Sequence, residues 1–145
     1  LEAVRVGKKQ IKIGVRQGHG TPPGYKWTVA IIDVAFGEVM KFLTDGQYEH
    51  LAMQVKELAR EDDPTHSRTA SVAQIENYYE LRDKGGILGK KNVRVYFGMD
   101  KLKQSLVILG GLKKENDGQT PDGTRILMRR RWRKYLNGDY GSLDT

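Results

Sequence analysis

Arg82 and Arg94 both fall on the polar phase of alternating segments, 78–82 and 92–97. If those segments pair as neighbouring strands, the two guanidiniums share one face of a sheet. Lys113 and Lys114 leave the end of a third alternating segment, 105–112, toward the same region. A guanidinium gives bidentate contacts to phosphate. Ammonium groups nearby can stabilise the charge that develops on a phosphorane. Such a convergent cluster of cations is what RNA cleavage needs when no metal assists. The competing reading is that each arginine pairs with Asp83, Glu80 or another acid on an exposed sheet face.

A second basic constellation lies near the end of the chain, where residues 125–134 hold six Arg or Lys. Arg125, Arg129 and Arg133 recur every four residues, and Arg130, Arg131 and Lys134 widen the stripe. A basic helix face beside an aromatic can follow a phosphate backbone and add stacking. Basic residues in a last helical turn also complement the helix dipole, which accounts for Arg133 and Lys134 but not for the whole stripe. Residues 85–91, Gly-Gly-Ile-Leu-Gly-Lys-Lys, imitate a phosphate loop. Their glycine spacing is one residue short of the Walker pattern, and Lys91 stands where that pattern wants Ser or Thr. They read instead as a basic hairpin loop offering Lys90 and Lys91 to RNA or the ribosome.

Other chemistries find little support. His19, His50 and His66 have no ligand spacing, so no metal site is expected. No nucleophile motif accompanies them. His50 reads as a helix-surface residue. There is no cysteine, hence no disulfide, thiolate nucleophile or cysteine-based zinc site. That absence fits a reducing cytoplasm, the expected location. Nothing points to a cofactor.

The 145 residues, 38% hydrophobic and 30% charged, suit one globular domain with its own core. The net charge of +7 steers the chain toward polyanions: nucleic acid, ribosome or an anionic surface. The longest apolar run, 29–36, is broken by Asp33 and is too short for a membrane helix. No apolar segment follows the first charges, so the opening does not read as a signal peptide.

These groups need a scaffold. Residues 1–24, rich in glycine, read as a loop-rich extension with one peripheral strand over 8–15. Residues 27–34 are rich in β-branched types and read as a strand. Phe36, Val39, Met40 and Leu43 have helical spacing, and Thr44 with Gln47 forms a capping-box pattern opening a second helix that Pro64 ends. Three alternating segments then form an antiparallel meander with one face on this helical hairpin. Met128, Trp132, Tyr135 and Leu136 mark a closing amphipathic helix over 124–136. The fold class is α+β, with a domain over 25–137 and a flexible tail over 138–145.

The second half resembles a known family. The segments Tyr-Tyr-Glu-Leu-Arg (78–82), Asn-Val-Arg-Val-Tyr-Phe (92–97), Ile-Leu-Gly-Gly-Leu-Lys-Lys (108–114) and Gln-Thr-Pro (119–121), followed by a basic helix, are similar to the RelE/ParE superfamily. The nearest likeness is to its HigB-like, phage-derived branch, and the resemblance covers roughly residues 27–136. It implies a RelE-like fold and the toxin of a type II toxin–antitoxin pair, an endoribonuclease that cuts mRNA in the ribosome. The RNA's own 2′-hydroxyl would attack the adjacent phosphate. Carried over by motif, Arg82 and Arg94 would be phosphate ligands, and Lys113 or Lys114 would stabilise charge or protonate the leaving oxygen. Tyr135 would orient the RNA by stacking.

The chain departs from the pattern at three points. Glu80 stands where RelE itself is basic, though HigB-like members commonly carry Glu; Gln119 replaces a frequent Lys; and no histidine sits in the last helix. The implied partners are mRNA, the ribosome and a cognate antitoxin, possibilities that include a toxin–antitoxin hetero-oligomer but no membrane. A ParE-like gyrase inhibitor keeps the fold and changes the target. A non-catalytic RNA- or ribosome-binding protein would instead tolerate the loss of any single cation.

Overall fold

The structure, a computed structural model, describes residues 9–143. Its frame is one six-stranded mixed sheet. In chain order the elements are β1 (Ile11–Val15), β2 (Thr28–Ile32), α1 (Asp33–Val39), α2 (Asp45–Leu58), β3 (Ser71–Gln74), β4 (Tyr79–Lys84), β5 (Asn92–Asp100), β6 (Ser105–Lys114) and α3 (Asp122–Leu136). Across the sheet the order is β1-β2-β6-β5-β4-β3. The fold is therefore α+β, and β4, β5 and β6 form the expected antiparallel meander. Strand β2 lies parallel to β6, so the intervening helices and strands bridge a long crossover.

Of the two outer strands, one is the peripheral strand that alternation over 8–15 implies, and the other is not seen in the periodicity. Strand β1 pairs antiparallel with β2 and buries Ile11, so part of the glycine-rich opening belongs to the sheet. Strand β3 was not legible: Ser-Val-Ala-Gln is too short to display alternation, yet it pairs with β4 along four residues.

The first helix starts earlier than the apolar spacing suggests. It covers Asp33–Val39 rather than 36–43, and residues beyond Met40 form turns closed by Phe42 N–H to the Val39 carbonyl. Asp33 in the first turn complements the helix dipole, and Ala35 and Val39, four apart, make the buried face. The second helix begins as read. Thr44 Oγ1 accepts from Gln47 N–H at 3.2 Å, and Gln47 Oε1 accepts from Thr44 N–H at 3.1 Å.

The sheet is covered on both faces. Helix α2 packs over one face, with Leu51 and Val55 opposite Val95 and Ile108 around an apolar cavity of about 180 Å³. Helix α3 packs over the other. Gly98 lies under Trp132, so close that a Cβ there would sit 2.3 Å from the indole. Gly110 lies under Met128, where a Cβ would come within 2.4 Å of the terminal methyl. Helix α3 begins at Asp122, two residues before the expected start. The residues after it pack rather than fray: Gln10 N–H donates to the Tyr140 carbonyl, and Leu143 is buried. The last two residues of the expected tail, and the first eight of the expected extension, lie outside the described residues.

Candidate functional site

Arg82 and Arg94 are register partners across β4 and β5. The pleat puts both on the α3 side of the sheet, away from the helical hairpin, as alternation implies. Two like charges directly opposite each other repel. Glu80, two residues before Arg82, resolves this. Its carboxylate accepts from Arg82 Nε on one oxygen and from Arg94 Nη1, at 3.0 Å, on the other. Thr120 Oγ1 also donates to it at 2.5 Å, and Tyr96 Oη lies 3.2 Å from that hydroxyl. Burial pushes the Glu80 carboxyl up, but the hydrogen bonds from Thr120, Arg82 and Arg94 outweigh it and hold the group below the usual glutamate range. Burial raises the Tyr96 phenol far above the usual tyrosine range, so it stays protonated.

The two arginines have different standing. Arg94 is 1% exposed, which corrects the expectation of an exposed sheet-face arginine. Its Nη2 donates to the Gly118 carbonyl at 3.1 Å, and its Nε is buried without a hydrogen-bond partner. The loop between β6 and α3 covers it. Arg82 is 40% exposed at the side chain. Its Nε is occupied by Glu80, and among the described residues its two Nη groups have no hydrogen-bond partner. The guanidinium is thus held at one end and free at the other.

The lysines divide. Lys114 pairs in register with Asn92 and falls on the Arg94 side, where its ammonium donates to the Gln119 carbonyl at 2.7 Å. Lys113 pairs with Val93 and falls on the opposite face, exposed beside Lys41 near the end of α1. The expected convergence of four cations is therefore three on one face and one on the other. Sequence reasoning missed a further cation of that face, Lys84, which alternation alone would have placed two residues beyond Arg82.

Tyr135 is not available to stack on RNA. It is buried at 6% exposure, stacks on Trp132 at 5.3 Å and donates its hydroxyl to Asp100 at 2.7 Å. On the same helix, Arg131 is buried and bound to Glu38 rather than part of a solvent stripe. Arg125 pairs with Glu76 at 3.0 Å and Asp122 at 2.9 Å, and Arg129 with Glu76 at 3.1 Å, so two carboxylates balance the two arginines at that end of the stripe. Arg130, Arg133 and Lys134 stand exposed, and among the described residues none of them forms an ion pair.

In the hairpin loop Lys90 is exposed, while Lys91 donates to Gln47 Oε1 at 2.6 Å and ties the loop to the start of α2. His50 lies on α2, partly exposed as a helix-surface residue, and it also reaches the sheet. Its Nε2 lies 2.7 Å from Asp83 Oδ2, a contact between α2 and the hairpin-side face of β4.

No family model, curated protein or solved structure matches this chain. Among the described residues no helix is long and apolar enough to cross a membrane.

Proposed function

We propose that this chain is the toxin of a type II toxin–antitoxin pair, of the RelE/HigB kind, and that it cuts ribosome-bound mRNA in the cytoplasm. The RelE-like reading of the fold belongs to this proposal. It rests on the order strand, two helices, four antiparallel strands and helix, as it runs from β2 to α3, with the last three of those strands as the meander. The observation that carries the functional reading is the state of Arg82. A guanidinium clamped through Nε by a buried carboxylate, with its Nη edge open, is pre-organised for bidentate contact with a phosphate.

In this account Arg82 holds the scissile phosphate. The RNA's 2′-hydroxyl gives its proton to solvent as its oxygen forms a bond to phosphorus, and the bond from phosphorus to the 5′-oxygen breaks. Lys114, on the same face, stabilises the added negative charge or gives a proton to the departing oxygen. Arg94 acts through Glu80 as a positioning residue. The exposed Lys90, Arg130, Arg133 and Lys134, with Lys113, supply attraction to the RNA backbone. An antitoxin from a neighbouring gene would neutralise this basic surface.

Mapping of mRNA ends after induced expression tests the reading. Growth arrest with new, translation-dependent cuts that vanish in Arg82→Ala is expected. Arrest without cuts would favour the gyrase target instead. The burial of Arg94 and Tyr135 favours one further reading, a non-catalytic RNA- or ribosome-binding protein, because it removes two of the five candidate catalytic groups from direct contact with substrate. Such a protein would bind RNA in a salt-dependent way, leave it intact, and lose affinity gradually as cations are removed.

A further inference from the structure

The α3 side of the meander carries a small lattice of donors. Two register rows place Arg82 beside Arg94, and Lys84, Asn92 and Lys114 side by side. Neighbouring strands in a sheet lie roughly 5 Å apart, and same-face residues along a strand roughly 7 Å, so one phosphodiester could reach several of these groups. Four cations and one amide thus gather at one corner of the sheet.

That corner already holds an anion. Asp117, in the loop after β6, places Oδ2 at 2.8 Å from Lys84 Nζ and Oδ1 at 2.9 Å from Asn92 Nδ2. The Lys84 ammonium, the Asn92 amide and the field of Arg94 hold its carboxyl below the usual aspartate range. The same loop is pinned by Asn92 to the Asn116 carbonyl, by Arg94 to the Gly118 carbonyl and by Lys114 to the Gln119 carbonyl. Nearly every donor of the lattice is therefore spent on this loop. The Lys84–Asp117 pair is nevertheless open to water, with side-chain exposures of 63% and 69%, and an exposed pair of this kind is weak enough to be displaced.

We propose that the corner formed by Arg82, Lys84, Asn92 and Lys114 is a phosphodiester-binding site, and that the Asp117 carboxylate is its internal occupant, which RNA must displace. The inference rests on the RNA-directed reading of this face and adds its regulation. The loop sets the affinity of the resting protein. Moving Asp117 off Lys84 frees two donors for phosphate and loosens the cover over Arg94.

The test is binding of a short fluorescent RNA oligonucleotide to the full chain at low salt, followed by anisotropy, with folding checked by circular dichroism. Asp117→Asn keeps the side-chain shape and removes the charge; it is expected to bind about threefold tighter, the scale of releasing a surface ion pair. Glu115→Gln removes an equal charge from the same loop without touching Lys84 or Asn92, and is expected to gain less. The gain is expected to disappear in the double variant Lys84→Ala with Asp117→Asn. Equal binding by wild type and Asp117→Asn, including no binding by either, overturns the proposal. So does an equal gain from Glu115→Gln, which would reduce the effect to net charge. If the wild-type chain binds RNA but never cuts it while Asp117→Asn still binds tighter, the nuclease reading fails and this one stands.

Discussion

Arg82 and Arg94 face each other across β4 and β5, and both guanidiniums bond to the carboxylate of Glu80. One carboxylate between two arginines leaves the group with a surplus positive charge. The buried arginine is fixed and the half-exposed one is aimed. Much of the behaviour expected of this protein follows from that asymmetry.

Glu80→Ala would leave Arg94 buried without its counter-ion. Breaking a buried pair by removing one partner costs about 3–5 kcal/mol. Chemical denaturation is expected to show a loss of that order, and a midpoint equal to wild type would mean that the cluster contributes nothing to folding.

The same carboxylate makes stability depend on pH. Its folded-state pKa lies below the ordinary glutamate value of 4.5, so the folded state favours the ionised form. The stabilisation is fully present above the unfolded value and is lost as pH falls through the lower, folded value. Thermal midpoints are therefore expected to drop below about pH 4.5, and less steeply in Glu80→Gln. Parallel acid profiles for the two proteins would contradict this.

Arg94→Ala is expected to unfold or strongly destabilise the domain, because the residue is buried and bridges β5 to the loop after β6. This reverses what alternation suggested. Alternation assigns a side chain to a face of the sheet but does not say what covers that face. The elements themselves were readable: the capping box at Thr44, the meander and the amphipathic closing helix all appear in the structure. The cover over Arg94 was not, because the Asn-Asp-Gly turn that builds it has no periodicity. Lys84 obeys the same alternation as Arg82, so that part of the site was present in the pattern and unread. Strand β3 is too short to show a period although it pairs locally with β4, and the Glu38–Arg131 pair joins residues far apart in sequence, which no local spacing encodes.

The Glu38–Arg131 pair finishes the sheet where β2 ends. Strand β2 pairs with β6 only as far as Ile108, leaving the next groups of β6 without a strand neighbour on that side. Glu38 Oε1 accepts from Gly111 N–H at 3.1 Å, and Arg131 Nη1 donates to the Leu109 carbonyl at 2.8 Å. The two side chains also bind each other at 3.0 Å. Charged hydrogen bonds of this kind are worth about 1.5–3 kcal/mol each, so Arg131→Ala is expected to cost at least that much. A double-mutant cycle with Glu38→Ala is expected to show coupling between the two, and additive losses would argue that each acts alone.

Gly98→Ala is expected to displace α3. The new methyl would collide with the Trp132 indole, and overpacking of this kind costs about 1–3 kcal/mol. Near-ultraviolet circular dichroism should register the change in the tryptophan's surroundings. An unchanged spectrum and melting midpoint would show that α3 can shift without cost.

The most direct test of the central claim is primer-extension mapping of mRNA ends in cells expressing wild type, Arg82→Ala or Arg82→Lys, with circular dichroism confirming that each is folded. The account expects translation-dependent cuts with wild type, none with Arg82→Ala, and only weak cutting with Arg82→Lys, which keeps the charge but loses the two-pronged contact. Undiminished cutting by a folded Arg82→Ala, or no cutting by wild type, would contradict it.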